Sequence, residues 1–388
     1  MKKIWKDIFV VWRNELIVIK QDLGVLIFLF LLPFAYPLVY SLIYNPEVVR
    51  DVAVVVVDDS RTDLTRRYVR HLDASQDVRV VGYAANMQEA RRAMAEKVCY
   101  GVIHLPKDFS GRVGRGESAT VELYCDMSLL LRYKSMLMAV TEVANEMGAS
   151  IQAKRVAELM NEEYIGASGK PIPFKLVPIG NVSQGLASAI MPGVLMLILQ
   201  QCIILAICFL GVTSRESAKR VGVKDPLEIE GVGALSMILG KSLCYFMLMI
   251  VPTIFVVHFV PLIFDFPMNG DVVDIAIFML PYLWAVIFFG MLIQRFIPDR
   301  ESTFLVFVFT SIVFIFLSGI SWPRYAMSEF WQLVGSCIPS TWGVTGFVGI
   351  NTVGATLEQQ STPYIMLWIL SGVYIMISYI LFKKKKHH

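Results

Sequence analysis

The run LASAIMPGVLMLILQQCIILAICFLGV, residues 186–212, contains no charged residue. A helix needs roughly 20 apolar residues to cross a hydrocarbon core of about 30 Å, so this run reads as a membrane span. Five further runs match it: Leu23–Tyr44, Ser242–Phe264, Asp274–Gln294, Thr303–Ile320 and Tyr364–Phe382. Pro33, Pro37, Pro192, Pro252, Pro261 and Pro281 fall inside these runs, which membrane helices tolerate better than soluble ones. Hydrophobic residues make up 56% of the 388 positions and charged residues only 17%, outside the usual range of a soluble domain. The charge is also unevenly spread. Residues 45–185 hold 18 of the 35 Lys and Arg, marking a hydrophilic insert between the first two spans. The expected fold is therefore an α-helical membrane protein with six transmembrane helices and an inserted extracytoplasmic α/β domain.

Sidedness follows from the short flanks, because cytoplasmic loops collect Lys and Arg. Residues 1–22 hold five, 213–241 hold five, Arg295 and Arg300 add two and Lys383–Lys386 add four, whereas 265–273 and 321–363 hold only Arg324. Both termini are then expected in the cytoplasm and the insert outside. The first run lacks a small-residue cleavage site and reads as an uncleaved span. His387 and His388 resemble a tag remnant. The net charge of +3 reflects this sidedness and calls for no nucleic acid.

Within the insert, DVAVVVVDDSR (51–61) reads as a buried strand that ends in two carboxylates. TDLTRRYVRHL (62–72) and NMQEARRAMAEKV (86–98) have helical spacing, the second opening on an Asn suited to cap it. VRVVGYA, YGVIHLP and ATVELYCD read as strands, with KDFSGRVGRG as a turn-rich connection. A long helix follows over about 129–160, and 166–181 is a Gly/Pro linker back to the membrane. Asp58 and Asp59 could hold a divalent cation, but the turn also needs acceptors for the free N–H groups of the next helix, and that capping role is the simpler reading. His71 and His104 read as isolated. Cys99 and Cys125 are the only Cys of the insert; an oxidising exterior permits a disulfide between them, but spacing gives no distance.

No signature of a hydrolase or metal site occurs. GKS at 240–242 lacks the first Gly of a phosphate loop, since position 235 is Leu, so ATP hydrolysis is expected on another polypeptide. The span interiors, as bounded above, carry no Asp, Glu, Lys or Arg, which argues against an ion-driven carrier. Gln200 and Gln201 form a polar pair, read as interhelical glue rather than a substrate contact.

Three segments remain for function. In residues 1–22, Ile4, Ile8, Trp12, Leu16 and Ile19 recur at helical spacing with Trp5 alongside, which describes an interfacial amphipathic helix. The charged loop 213–236 includes Arg215, Glu216, Lys219, Asp225 and Pro226. Segment 321–350 is apolar and aromatic but broken by Pro323 and Pro339, so it suits short helices dipping into the outer leaflet.

These pieces, in this order, resemble a permease subunit of the ABC transporter type-2 family, in the branch with a large external domain between the first two spans. Arg215, Glu216 and Gly222 resemble the family's RE…G element, followed by Gly240–Lys241 at the third span; the continuation RESAKRVGV departs from the usual one. Ser318–Gly319, Trp322–Pro323, Met327, Trp331 and Ile338–Pro339 with Thr341 resemble its SG…P…M…IP-x-T pattern. The strands VAVVVVDDS, YGVIHLPKDFS and VELYCDMS resemble those of its external domain.

The resemblance implies a multi-pass permease of the bacterial cytoplasmic membrane that has no cofactor of its own. Its partners would be two cytoplasmic ABC ATPase subunits, which carry ATP and Mg, a second permease copy or sister subunit, and membrane lipids, with a periplasmic adaptor left open. Arg215, Glu216, Lys219, Asp225 and Pro226 would couple it to the ATPase. Trp322, Pro323, Met327, Trp331, Pro339 and Thr341 would form an external gate. Charge-free spans fit an amphipathic, lipid-like or drug-like cargo moved outward. The rival from another class is a membrane-anchored sensor whose external domain binds a ligand; an external hydrolase built on Asp58 and Asp59 stands third.

Overall fold

The computed structural model describes residues 2–44, 49–128, 130–159, 180–181, 185–222, 225, 227, 229 and 231–385. Linker residues 166–179, Pro226 and the terminal histidines lie outside the described residues. The chain divides into two units, Met1–Glu47 with Pro178–His388, and Val48–Val177.

The first unit contains the six spans: Leu23–Tyr44, Leu186–Val221, Ala234–Phe264, Val272–Ile293, Arg300–Leu317 and Ser361–Phe382. Between the fifth and sixth, Glu329–Ser336 and Pro339–Thr352 form a helix pair bent by 90°. Two spans differ in extent from the hydropathy reading. The second continues as helix through Arg215, Glu216, Lys219 and Arg220, all adequate helix formers, and stops where Gly222 takes a left-handed φ of 70°. The first part of the loop expected at 213–236 is therefore helical. The third span starts at Ala234 rather than Ser242, which places Lys241 inside it. The expectation of charge-free span interiors fails here, and the reason is a partner: Lys241 meets Glu15 of the N-terminal helix at 3.6 Å.

That N-terminal helix, Lys2–Gln21, is followed by Asp22, whose Oδ1 accepts from the N–H of Gly24 and Val25 and so caps the first span. Its buried stripe is Ile8, Val11, Glu15 and Ile19. Ile4 and Trp5, expected on the apolar face of an interfacial helix, are not covered by protein and are exposed together with Phe9. The helix approaches the third span at Gly240, where an added Cβ would lie 2.6 Å from Val11 Cβ. Close helix approach thus accounts for the Gly of the GKS string. Proline explains another local feature. π-helical turns at Ile27–Leu31 and Phe255–Phe259 lie just before Pro33 and Pro261, where a missing N–H leaves the regular ladder incomplete.

The second span fills the centre, with Leu195, Leu199, Ile203, Ala206 and Leu210 almost fully buried. The fifth span lies at the edge, exposing Leu305, Val308, Phe309 and Ile312.

The second unit is an α/β domain on a four-stranded sheet of order β2-β1-β3-β4: β1 (Val52–Asp58), β2 (Val78–Tyr83), β3 (Gly101–Leu105) and β4 (Glu122–Cys125). β1 runs parallel to β2 and β3, and β4 is antiparallel to β3. The Val run of β1 is buried on both faces: Val54 and Val56 pack with Tyr68, Leu72 and Met136, and Val55 and Val57 with Ala90 and Cys99. The expected connection KDFSGRVGRG contains a helix, Phe109–Arg115, closed by Gly116 at φ 88°. A long helix, Leu130–Leu159, completes the domain.

Candidate functional site

In the membrane unit, residues singled out in sequence gather at the charged end and around the middle of the second span. At its charged end, Arg215 donates from Nε to the Gly211 carbonyl at 3.0 Å, and from Nη2 to the carbonyls of Gln294 (3.1 Å) and Ile297 (2.9 Å). This ties the helix end to the connection between the fourth and fifth spans. Glu216 Oε1 accepts from the Arg300 N–H at 3.2 Å, placing a carboxylate at the N-terminus of the fifth span, where the helix dipole favours negative charge. Arg300 Nε in turn donates to Thr213 Oγ1 at 2.8 Å. Asp225 Oδ1 accepts from Ser214 Oγ at 2.5 Å and from the Leu227 N–H at 2.9 Å, folding the connection back on the helix. Lys219 is exposed. Pro226 lies outside the described residues.

Sequence reasoning missed a second ionic contact in this unit. Besides Lys241, Glu15 meets Tyr245, whose OH donates to Oε1 at 3.2 Å. Burial raises the Glu15 pKa, with Lys241 opposing it. The signal was present in the alternate stripe Ile8–Val11–Glu15–Ile19, which carries one acid among apolar residues at helical spacing.

At mid-span, Gln200 reaches across the bundle to the bent pair. Its Nε2 donates to Ser340 Oγ at 3.0 Å and its Oε1 accepts from the Ser340 N–H at 2.8 Å. Ser340 is in the first turn of the helix that opens at Pro339, so Gln200 satisfies one of the backbone donors that a helix start leaves unpaired. Gln201 Nε2 donates to Thr310 Oγ1 (3.2 Å) and Ser311 Oγ (2.7 Å) of the fifth span. Its Oε1 is buried with no partner among the described residues. A small cavity of about 70 Å³ opens beside it, walled by Tyr36, Tyr40, Cys202, Phe307 and Ser311.

The residues expected at an external gate separate into two sets. Pro339 and Thr341 are buried in the bundle, and Thr341 Oγ1 has no partner among the described residues. Trp322, Pro323 and Trp331 are exposed, and Met327 is half-buried. The buried helix is pressed against the fourth span through its small residues: a Cβ at Gly343 would lie 2.2 Å from the Tyr282 ring, and one at Gly346 would lie 2.3 Å from Phe278.

In the α/β domain Asp58 organises its turn. Oδ1 accepts from the N–H of Ser60 (3.1 Å) and Arg61 (2.9 Å), and Oδ2 accepts from Thr65 Oγ1 at 2.7 Å. The helix cap itself is Thr62, in a reciprocal box with Thr65. Asp59 faces His104 instead. His104 is not isolated: Nε2 lies 3.0 Å from Asp59 and Nδ1 lies 2.9 Å from Glu122, across the β3–β4 pairing. Partial burial lowers the His104 pKa, but the bonds to the two carboxylates outweigh it and the net shift is upward. Cys99 and Cys125 are both free thiols. Among the described residues no group of three or more His, Cys, Asp or Glu could hold a metal ion.

No curated protein matches the sequence significantly. The family model described as "ABC-2 family transporter protein" matches residues 23–380, from the first span to the last. Six apolar spans, a domain inserted after the first, and a match over nearly the whole chain agree: this protein belongs to the ABC-2 family of transporter proteins, as a membrane-spanning permease.

Proposed function

We propose that the chain is the membrane subunit of an ATP-driven exporter that moves an amphipathic or lipid-like molecule outward. Two such subunits, or this one and a sister, would sit on two cytoplasmic ATPase subunits, with both termini in the cytoplasm. The observation that carries the reading is the continuity of the second span. One helix, Leu186–Val221, bears the charged turn with Arg215 and Glu216 at one end and Gln200, bonded to the bent helix pair, near its middle. A push on the charged turn has a single regular element along which to travel, and the Gln200–Ser340 bond delivers it to the segment read as the gate. Arg215, Glu216, Lys219, Asp225 and Pro226 would form the ATPase-facing surface. Spans that are almost free of charge suit an amphipathic cargo, and the cavity of about 70 Å³ beside Gln201 is too small to hold one in this state. The experiment is gentle extraction of the chain with its neighbouring-gene ATPase, followed by reconstitution. ATP-dependent release of a labelled amphipath supports the reading, and a chain that neither retains nor stimulates any ATPase contradicts it.

A second reading, a sensor with a ligand-binding external domain, is favoured by a groove of about 460 Å³ in the α/β domain, lined by Tyr68, Phe109, Val113, Met147, Gln152 and Arg155. Ligand binding that leaves ATP turnover unaffected would favour that reading.

A further inference from the structure

The N-terminal helix, Lys2–Gln21, is deeply packed along one side. That side is the stripe Ile8, Val11, Glu15 and Ile19, and it meets the third span: Val11 closes on Gly240, and Glu15 on Lys241 and Tyr245. About a quarter turn round, at roughly 100° per residue, runs a second stripe of Trp5, Phe9, Trp12 and Leu16. Trp5 is 70% and Phe9 60% exposed, and Phe9 stacks on Trp12 at 5.5 Å. An aromatic face of this kind, on a helix that leads straight into a span at Leu23, belongs at the edge of the hydrocarbon.

Opposite the aromatic stripe lie Lys3, Asp7, Asn14 and Gln21, which puts the polar side toward water. With those two sides fixed, the helix has two flanks. One is the stripe packed on the third span. The other carries Lys6, Arg13 and Lys20, seven residues apart and all exposed. Seven residues are about two turns, so the three cations line up along the helix beside Phe9 and Leu16. Long basic side chains in that position keep their stems along apolar surface and their charges at headgroup level.

The two carboxylates of the helix are elsewhere. Asp7 is on the polar side, and Glu15 is buried against Lys241 at 3.6 Å. The flank therefore presents three positive charges and no negative one. Each cation near an anionic membrane surface strengthens binding about fivefold. A zwitterionic headgroup offers no such gain.

We infer that this flank binds the headgroups of anionic phospholipids, so that the N-terminal helix is held between the lipid surface and the start of the third span. The inference goes beyond the export reading and does not depend on it, since the full chain can be tested without an ATPase. With Cys125 and Cys337 replaced by Ser and the other four Cys buried, Val10→Cys, an exposed position between Lys6 and Arg13, carries a polarity-sensitive fluorophore. The labelled chain is placed in nanodiscs of phosphatidylcholine, or of an equimolar mixture with phosphatidylglycerol. Emission should be bluer in the mixture. The combined change Lys6→Gln, Arg13→Gln and Lys20→Gln leaves the packed side of the helix intact and should abolish most of that difference. Lys3→Gln, on the polar side, should keep it. Equal emission in the two lipids, an undiminished difference in the triple variant, or as large a loss in Lys3→Gln overturns the inference. A blue shift that appears only when an ATPase subunit is added assigns the flank to a protein partner and also overturns it.

Discussion

The second and fifth spans are both apolar enough to cross a membrane, yet 89% of the hydrophobic window is buried within the protein in the second and only 17% in the fifth. Hydropathy decides that a helix inserts, but lipid tails are as apolar as leucine, so it cannot decide which helix goes to the centre. Small and polar residues do that. The second span is clasped by Gln200 to Ser340 and by Gln201 to Thr310 and Ser311, whereas the fifth buries only Thr303, Phe314 and Leu317 and turns Leu305, Val308 and Phe309 outward. Centrality therefore comes from a few hydrogen bonds and close contacts, and these are the places to break it.

The largest effect should come from Gln200→Leu, which leaves both the Ser340 N–H and its hydroxyl without their partner in the core. An unsatisfied buried group costs about 1–3 kcal/mol. Thermal unfolding in detergent should show a loss in that range, and Gln200→Glu should not rescue it, because a buried charge replaces the amide. Next, Gly343→Ala drives a methyl into the Tyr282 ring, and overpacking of this kind costs about 1–3 kcal/mol. If Gly343→Ala unfolds like wild type, the fourth span is not what holds the bent pair in place.

The charged end of the second span makes a smaller, functional prediction. Glu216→Arg places a cation at the N-terminus of the fifth span and should cost about 0.3–1 kcal/mol of stability. If the turn meets the ATPase, it should also reduce stimulation of ATP hydrolysis severalfold, while Glu216→Gln, which keeps an acceptor, changes little. Equal stimulation by both variants would move the docking site elsewhere, most simply to the N-terminal helix.

How much of this was legible in sequence depends on the kind of interaction. Six spans and the α/β insert follow from runs of residues, and runs are local. The extension of the second span to Val221 was obscured because its charges resemble a loop, although the same residues favour helix and Gly222 marks the stop. The third span was started too late because Lys241 looked like a boundary. A lysine can lie within a span when a carboxylate meets it, and Glu15 lies 226 positions away in sequence, beyond the reach of any pattern. Likewise, the Gln200–Gln201 pair announced a polar contact but not that Ser340 would receive it. The RE element and the IP-x-T segment were readable through resemblance, but nothing in it separated buried Thr341 from exposed Trp322 and Trp331.

In the inserted domain the counterpart of these clasps is His104 between Asp59 and Glu122, whose carboxylates are open to water, so the contact is correspondingly weaker. Because the folded pKa of His104 is raised, its stabilising contribution is fully present below the ordinary value of 6.5 and fades as pH rises through the raised one. His104→Gln should therefore lower the unfolding midpoint of this domain near pH 6 and make little difference at pH 9. A difference independent of pH would mean that packing, not charge, is what His104 contributes. The smallest effect is expected at the fifth span's outward face: Val308→Leu should change stability by less than about 0.5 kcal/mol. A larger loss would show that this face meets protein, such as a second copy, rather than lipid.

The central claim, that ATP hydrolysis at one end of the second span moves the bent pair at its middle, is tested most directly by thiol accessibility at Thr341. Its side chain is fully buried and its hydroxyl has no partner among the described residues, so Thr341→Cys disturbs little. With Cys125 and Cys337 replaced by Ser and the ATPase reconstituted, an impermeant thiol reagent should label Cys at this position slowly at rest and severalfold faster during ATP turnover. Equal labelling in both states would contradict the account.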